Sequence, residues 1–279
     1  RGLGDVYKRQ VSCSVKHKKT FDYIFNKTEA ITLEQSKLTL SKDITVLSFS
    51  DSSMVDRNSS IIKVDSGWIV YSKNSESSIL SFTSDGQFSG YIGHRGNGPG
   101  EYTSVYDVVV NQKSKVLEVL SDGGIFCYTF GGDFLDKKEV TYPAFSFAID
   151  DRQNYWFYVG NNTTYGDAKM ICTDENIANV AYYLHQKSNM LPMVENNFGR
   201  NGEWLTFHES LNHDLYTIEN GKLDLSYAMD FPNYKLPKKL HELSGMEVIE
   251  ELQRSNYASI INYLENHDYI FLNVLLNNE

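Results

Sequence analysis

The sequence has few of the features that mark membrane-spanning, nucleic-acid-binding or disulfide-rich proteins. Of its 279 residues, only 3 are Cys and 5 are Pro, and Lys plus Arg (26) are fewer than Asp plus Glu (36). The formal net charge of -10 opposes the basic surface that a nucleic-acid backbone requires. No apolar run approaches the roughly 20 residues of a membrane-spanning helix, so any membrane attachment is expected at an end of the chain.

Aromatic residues and turn formers are abundant instead. The chain contains 19 Tyr, 15 Phe and 19 Gly, and 41% of its residues are hydrophobic. Ser, Thr, Asn and Asp recur in short clusters between apolar runs, which is typical of β-strands joined by tight turns. Length and composition therefore predict one large, all-β domain with a sizeable core.

Four similar segments recur about every 43 to 46 residues. Phe82–Phe88, Tyr128–Phe134 and Ile171–Ile177 each combine an apolar strand with a turn rich in Gly, Asn or Asp, and Tyr216–Leu223 matches them more loosely. This pattern predicts a tight β-hairpin in each segment. Two further strands are predicted around each hairpin, so each repeat forms a four-stranded antiparallel meander. Four strands in about 45 residues indicate a blade of a β-propeller.

The sequence predicts four such blades, half of a fifth and one helical insertion. The predicted strands are 61–64, 68–72, 79–83 and 87–92; 106–110, 116–121, 125–130 and 134–140; 145–150, 155–160, 169–173 and 177–184; 190–194, 204–209, 214–219 and 223–231; then 258–264 and 269–276. Ile44–Phe49 is a candidate strand to complete the last blade. The helical insertion is predicted over Pro237–Arg254, where apolar residues follow a 3.6-residue period.

The two ends of the sequence differ from its body. Residues 1–10 resemble a translated sequencing-adapter remnant and are predicted to be non-native. The small residues around Cys13 and the polar tether after them resemble the end of a bacterial lipoprotein signal, although its apolar region is absent. We therefore predict a lipoprotein signal remnant and tether over 11–43, with lipidation of Cys13; the alternative is an ordinary Cys in a loose terminus. Residues 44–279 are predicted to form an incomplete propeller domain, truncated at both ends.

The segment Gly93–Tyr102, followed by the strand Tyr106–Val110, is the most distinctive part of the chain. It resembles the glycine-rich junction of NHL-type repeats and, more closely, the six-bladed β-propeller family of exported Bacteroidota lipoproteins. Ile44–Phe49, Ile61–Val70 and the late helical insertion are also similar to that family. The resemblance implies a six-bladed ring, of which about four and a half blades are present, and it implies no assigned activity.

A ligand is expected on the face where the second-to-third-strand loops and the blade connections emerge. The candidate ligand-binding residues are Arg95, Glu101, Tyr102, Tyr165 and His213. The three glycines at 96, 98 and 100 suggest a phosphate cradle, but no Lys-Ser/Thr pair and no helix follow them. A turn whose backbone requires glycine is therefore preferred. Arg95 and Glu101 are expected either to form a salt bridge or to contact ligand.

The sequence contains no recognisable catalytic constellation. None of the seven His residues belongs to an HExxH motif, and no Gly-x-Ser-x-Gly elbow is present. No catalytic residue, metal or cofactor is therefore predicted. Cys127 and Cys172 lie within apolar strands and are predicted to be buried thiols, with a mutual disulfide as the alternative.

Two functions compete at this point. The leading hypothesis is a lipid-anchored module of the cell envelope, in the periplasm or on the outer-membrane surface. It would bind or scaffold a glycan, a peptide or an envelope protein through one propeller face. The alternative is a propeller hydrolase or lyase whose axial metal site collects carboxylates and histidines from several blades. An RNA-binding, NHL-like module is opposed by the acidic composition and the export signal.

Overall fold

A computed structural model describes residues 44–48, 55, 59–73, 78–161, 166–185, 196–240, 242–243 and 245–277. Within these ranges the protein is all-β apart from one helix, and four of its sheets are four-stranded antiparallel propeller blades, as predicted. Four sheets of four strands are followed by one sheet of two. The described residues divide into a first unit, within residues 44–149 with 173–180, and a second unit, within residues 150–172 and 181–277. The division passes through the third sheet.

The first unit contains sheets 1 and 2 and the first strand of sheet 3. Sheet 1 has the order β1 (Ser60–Val64), β2 (Gly67–Tyr71), β3 (Ile79–Thr83) and β4 (Phe88–Ile92). A short parallel pair, β5 (His94–Arg95) and β6 (Glu101–Tyr102), leads into sheet 2. Sheet 2 consists of β7 (Asp107–Asn111), β8 (Val116–Ser121), β9 (Gly124–Tyr128) and β10 (Phe134–Lys138), and β11 (Ser146–Ile149) follows it. Ile69, Ile79 and Leu117 belong to the core that joins sheets 1 and 2.

The second unit contains the rest of sheet 3 together with sheets 4 and 5. Sheet 3 continues with β12 (Tyr155–Tyr158), β13 (Ala168–Thr173) and β14 (Ala181–His185). Sheet 4 consists of β15 (Phe198–Asn201), β16 (Trp204–His208), β17 (Asp214–Glu219) and β18 (Lys222–Ala228). The helix α1 (Met246–Arg254) precedes β19 (Ala258–Glu265) and β20 (Ile270–Leu276), which form sheet 5. No helix among the described residues is long and apolar enough to cross a membrane.

Burial follows the position of a strand within its sheet. The central strand β9 is buried at all five positions, whereas the adjacent edge strand β10 is exposed at four of five. A strand covered on both faces tolerates a continuous apolar sequence, while an edge strand needs charge to prevent pairing with other chains. The Asp-Lys-Lys sequence of residues 136–138 supplies that charge at the edge of sheet 2.

The helical insertion is shorter than the predicted span Pro237–Arg254. The helix α1 begins only after Gly245, whose φ of 56° lies in the left-handed region and interrupts the helical backbone. Leu240 and Val248 nevertheless pack together with Leu211 in a small core. The apolar period therefore identified residues that pack together, but it overestimated the length of the helix.

The β3–β4 and β9–β10 hairpins close with the same five-residue turn, over residues 83–87 and 129–133. In each turn the fourth amide donates to the first carbonyl, and the first amide donates to the fifth carbonyl. The hydroxyl of the first residue, a threonine, accepts a hydrogen bond from the fifth amide. The fourth position holds Gly86 (φ 88°) or Gly132 (φ 98°), because this turn places that residue in the left-handed region.

The β13–β14 hairpin repeats this turn over residues 174–178, with one unfavourable substitution. Asp174 stands where the other turns have threonine, and its Oδ1 accepts the amide of Ala178. Ile177 occupies the glycine position with a φ of 59°. The sequence alignment paired Thr83 with Cys172, and this was wrong because the structural equivalent of Thr83 is Asp174. The predicted start of the following strand at Ile177 was wrong for the same reason, since β14 begins at Ala181.

We expect Ile177→Gly to raise the free energy of unfolding by about 1 kcal/mol. A side chain costs roughly 1–2 kcal/mol in the left-handed region, and the greater unfolded-state entropy of glycine offsets part of the gain. Urea denaturation at constant m-value measures the change. Gly132→Ala is the opposite control, because its Cβ would lie 2.4 Å from the Tyr91 carbonyl oxygen. An Ile177→Gly midpoint at or below that of the parent would contradict the strain argument.

Two predicted strands have no counterpart among the strands that the structure describes. The predicted first strand of the fourth blade, 190–194, lies outside the described residues, and the first strand of sheet 4 is Phe198–Asn201. Gly199 lies in this strand, and this position requires glycine because a Cβ there would lie 2.2 Å from the Tyr263 carbonyl oxygen. In the described part of Ile44–Phe49, residues 44–48, Ser48 forms a single parallel bridge with Gln87 beside sheet 1.

Candidate functional site

The glycine-rich loop 93–105 of the first unit is held in shape by its own carboxylate. The amide of Gly98 donates to Glu101 Oε2 over 2.8 Å, and the amide of Gly96 donates to the Tyr102 carbonyl over 3.0 Å. A Cβ at Gly96 would lie only 2.0 Å from Glu101 Oε2. A larger residue at position 96 would therefore displace the Glu101 carboxylate from its place over the loop. The Gly98 amide, which a phosphate cradle would need, already binds Glu101.

The same loop packs closely on aromatic side chains of sheet 2. A Cβ at Gly93 would lie 2.6 Å from the Tyr128 ring, and a Cβ at Gly100 would lie 2.5 Å from the Phe134 ring. The Tyr128 hydroxyl donates to the Gly100 carbonyl over 2.8 Å. Since both ring contacts exclude larger residues, the loop is fixed against the sheet.

A polar cluster forms where this loop meets the β8–β9 turn. The Tyr106 hydroxyl donates to Asp122 Oδ1 over 2.5 Å, and Thr103 Oγ1 donates to Asp122 Oδ2 over 2.6 Å. Arg95 Nε donates to the Thr103 carbonyl over 2.9 Å. Arg95 and Asp122 are exposed, while Thr103 and Tyr106 are partly buried. We call these four residues the Arg95 cluster.

The hydrogen bonds of the Arg95 cluster fix its charges. The bonds from Thr103 and Tyr106 lower the pKa of Asp122, and the bond to Asp122 raises the pKa of Tyr106 to about 12. At neutral pH the cluster therefore presents a carboxylate, a protonated phenol and the Arg95 guanidinium. Such groups form directional hydrogen bonds with ligands that carry hydroxyl, amide or charged groups.

A buried carboxylate of the first unit, Asp107, is neutralised inside the protein. It forms an ion pair with Lys73 over 2.9 Å, and the two side chains are 8% and 10% exposed. It also accepts the amides of Val108 over 3.0 Å and Phe147 over 3.1 Å. Burial, followed by the charge of Asp107, raises the pKa of Tyr71. Asp107 thus joins β7, β11 and the loop after β2, and its role is structural.

Glu209 has the equivalent role in the second unit. Its Oε1 accepts Lys169 Nζ over 2.9 Å and the Tyr158 hydroxyl over 2.7 Å, and its Oε2 accepts Asn212 Nδ2 over 3.2 Å. The Lys169 and Glu209 side chains are 3% and 8% exposed. A buried ion pair with this many donors is well satisfied and links sheets 3 and 4.

Two further buried acids of the second unit are also hydrogen-bonded. Glu265 accepts the hydroxyls of Tyr227 and Tyr263, and Asp150 Oδ2 accepts Trp156 Nε1 over 3.0 Å. Across the described ranges, no group of three or more His, Cys, Asp or Glu side chains could hold a metal ion.

The three predicted ligand residues of the first unit have different roles. Arg95 lies in the exposed cluster, whereas Glu101 supports the glycine-rich loop. Tyr102 is 1% exposed, and its hydroxyl donates to the Ile92 carbonyl, so it belongs to the core.

The other predicted site residues lie elsewhere or outside the described ranges. His213 lies in the second unit, where its Nε2 is 3.0 Å from the Ala258 carbonyl oxygen and its ring packs edge-on against Phe231. Through its contact with Ala258, His213 connects the loop after β16 to the start of β19. Tyr165 and Cys13 lie outside the described residues.

Cys127 and Cys172 are buried thiols within strands, as predicted. Burial is the main cause that raises the pKa of Cys127 and of Cys172 to about 12. A thiol with such a pKa holds almost no thiolate at neutral pH, and thiolate is the reactive form. Neither residue is therefore a candidate nucleophile.

Three members of the Arg95 cluster were not among the predicted ligand residues. Thr103, Tyr106 and Asp122 were not singled out, although the β8–β9 turn was assigned to the ligand-binding face. The available signal was that Asp122 opens an Asp-Gly-Gly turn immediately after a strand on that face. A carboxylate at such a turn meets the neighbouring blade connection when the strands alternate in direction.

Comparisons with known proteins find one matching family and several similar structures. A family model described as a domain of unknown function matches residues 25–279. No match is found among curated proteins. A putative exported protein from Bacteroides fragilis NCTC 9343 is similar in structure, with a TM-score of 0.70 and 16% identity over 84% of this chain and 70% of that one. A DUF4221 family member from Bacteroides vulgatus ATCC 8482 has a TM-score of 0.51 and 10% identity, over 81% and 73%. At these identities the similarity shows a shared fold.

Proposed function

We propose a function from the premise that this chain belongs to the DUF4934 family: it is an exported propeller module that binds a glycan, a peptide or a partner protein through the Arg95 cluster. The observation that carries the proposal is the exposed Asp122 carboxylate, held between Thr103 and Tyr106 beside a preformed glycine-rich loop. Polar groups that are fixed before the ligand arrives give orientation and specificity at small entropic cost.

The buried acids support a binding function over a hydrolytic one. A general acid or base must exchange protons with substrate or solvent. Asp107 and Glu209 are instead paired with buried lysines, and Glu265 is bonded to two buried tyrosines. Among the residues that the structure describes, no specific observation favours the hydrolase or lyase with an axial metal.

Export and anchoring are part of the same proposal. Export is supported by the structural similarity to a Bacteroides fragilis protein described as exported, and by the signal-like sequence around Cys13. We propose that Cys13 is lipidated and holds the module in the cell envelope. Metabolic labelling with palmitate that Cys13→Ala does not reduce would exclude this anchor. The six-bladed, NHL-like ring stays a prediction, which an experimental structure of the full-length protein would test.

The binding function is tested with a panel of neutral glycans, acidic glycans and peptides applied to the full-length mature protein. For any ligand found, we expect Asp122→Ala to weaken binding at least about tenfold, because it removes a charged acceptor and releases two hydroxyl donors. Isothermal titration calorimetry measures the affinity. Asp133→Ala is the matched control, since Asp133 is an exposed turn carboxylate at the β9–β10 hairpin.

The outcomes separate the candidate functions. Binding that is lost in Asp122→Ala and kept in Asp133→Ala supports recognition by the Arg95 cluster. Equal affinities in both variants would place the ligand elsewhere and refute the proposed site. Turnover of a panel member that EDTA abolishes would favour the metal-dependent hydrolase or lyase.

A further inference from the structure

The imidazole of His208 is buried without a hydrogen-bond partner. This residue is the last of β16 in sheet 4 and is 1% exposed. Neither Nδ1 nor Nε2 has a partner in good hydrogen-bond geometry, although the backbones of Asn197, Ile260 and Ile261 lie close enough to oppose part of the effect of burial on the pKa of the ring. A buried polar ring with two unsatisfied nitrogens is unfavourable, and such groups are rare in folded proteins.

The ring lies at the junction between sheets 4 and 5, which hydrogen bonds hold together on both sides of it. Thr206 Oγ1 donates to the Tyr263 carbonyl over 2.8 Å. Ser259 Oγ and the Ile260 amide both donate to the Ser210 carbonyl, over 3.0 and 3.3 Å. Because these bonds fix β19 against β16, a change at the ring acts directly on the junction.

Among the described residues, Glu209 is the charged group that favours a protonated imidazole at this position. Its carboxylate is already bound to Lys169. From β17 the facing partner of His208 is Leu215, and from the β15 side it is the backbone of Asn197. Burial accordingly lowers the pKa of His208, so the ring is neutral at neutral pH.

We propose that His208 makes the docking of β19 and β20 onto sheet 4 sensitive to acid. A neutral ring is tolerated in the junction, but an imidazolium must be hydrated or bonded and therefore favours an opened junction. The pKa of His208 in the folded protein lies below the unfolded value of about 6.5. The stability that the neutral ring allows is therefore fully present above that pH. It is lost as the pH falls through the window below about 6.5.

A second histidine, His213, contacts the start of β19, so its effect must be distinguished from that of His208. The pKa of His213 is also lowered by burial, while Asp214 and Asp230 oppose the shift. Its Nε2 is bonded to the Ala258 carbonyl, so it has a partner that His208 lacks. The assignment to His208 thus requires a variant of that residue alone.

The test is amide hydrogen exchange of the full-length protein at pH 7.5 and pH 5.5, corrected for the intrinsic pH dependence of exchange. We expect protection of residues 258–276 to fall by up to about tenfold, because pH 5.5 lies one unit below the unfolded pKa of about 6.5, whereas β8 keeps its protection. His208→Leu should abolish the extra loss. His185→Gln is the control, because His185 is an exposed histidine paired with Asp167.

Two results would overturn the proposal. One is an equal loss of protection in β8 and in residues 258–276 of the parent protein, and the other is an unchanged acid response in His208→Leu. If His208→Leu does not fold, exchange at the imidazole C2 hydrogen of the parent protein decides the matter. A His208 midpoint below 6.5 supports the proposal, and a midpoint at or above 6.5 overturns it. The test needs no ligand and is independent of the proposed binding function.

Discussion

Lys169→Met is expected to lower the free energy of unfolding by about 3–5 kcal/mol. The substitution keeps the aliphatic packing but leaves the Glu209 carboxylate buried with only neutral donors. The lost contact is short, at 2.9 Å, and the two side chains are 3% and 8% exposed. Breaking one side of a buried ion pair leaves an uncompensated charge, so the loss exceeds what the pair itself contributes. Urea unfolding at pH 7.5 measures it.

An exposed ion pair of the same chemistry serves as the control. Lys115 lies 3.1 Å from Asp65, but the side chains are 55% and 81% exposed. Water screens such pairs, so Lys115→Met should change stability by less than about 1 kcal/mol. The double variant Lys169→Met/Glu209→Gln should recover part of the loss, because it removes the buried charge. Equal losses in the two Lys→Met variants would refute a structural role for the buried pair.

Asp107→Asn is expected to lower the free energy of unfolding by about 2–4 kcal/mol. The amide is the same size as the carboxylate, but it withdraws the counter-charge from Lys73, whose side chain is 10% exposed. It also offers one acceptor oxygen where the carboxylate serves the amides of both Val108 and Phe147. Thermal unfolding and urea unfolding should agree on the loss.

The control for Asp107→Asn is Asp65→Asn, which changes an exposed carboxylate in the same way. We expect it to be nearly neutral. Hydrogen exchange should localise the effect of Asp107→Asn to β7 and β11, the strands that the carboxylate joins. A loss spread evenly over sheet 1 and sheet 2 would show instead that Asp107 acts on the whole unit.

The blades were predictable because their signals are local. The bounds of β8 (Val116–Ser121) and β17 (Asp214–Glu219) match the predicted strands, since apolar runs end at turn residues on both sides. The Asn220–Gly221 turn, with both residues at positive φ, is the two-residue hairpin that Asn-Gly predicts. Each of these features depends on residues within a few positions of one another.

The errors arise where distant contacts override the local pattern. Gly199 weakens the apparent strand propensity of β15, yet the close approach of the Tyr263 carbonyl requires it. The third turn was predicted two residues too early because Ile177, a β-branched residue, occupies its glycine position. The Arg95 cluster depends on hydrogen bonds from Thr103 and Tyr106 to Asp122. Because Asp122 lies in a different loop from Thr103 and Tyr106, no short sequence motif contains the cluster.

The glycine-rich loop also has a consequence for the kinetics of the ligand binding that we propose. Glu101 already occupies the Gly98 amide, and Gly93 and Gly100 lie against aromatic rings, so we expect the loop to keep this conformation before any ligand arrives. Association should then be a single bimolecular step whose observed rate rises linearly with ligand concentration. With no ordering step to vary, differences in affinity among related ligands should lie in their dissociation rates, and residence time becomes the quantity that distinguishes one ligand from another.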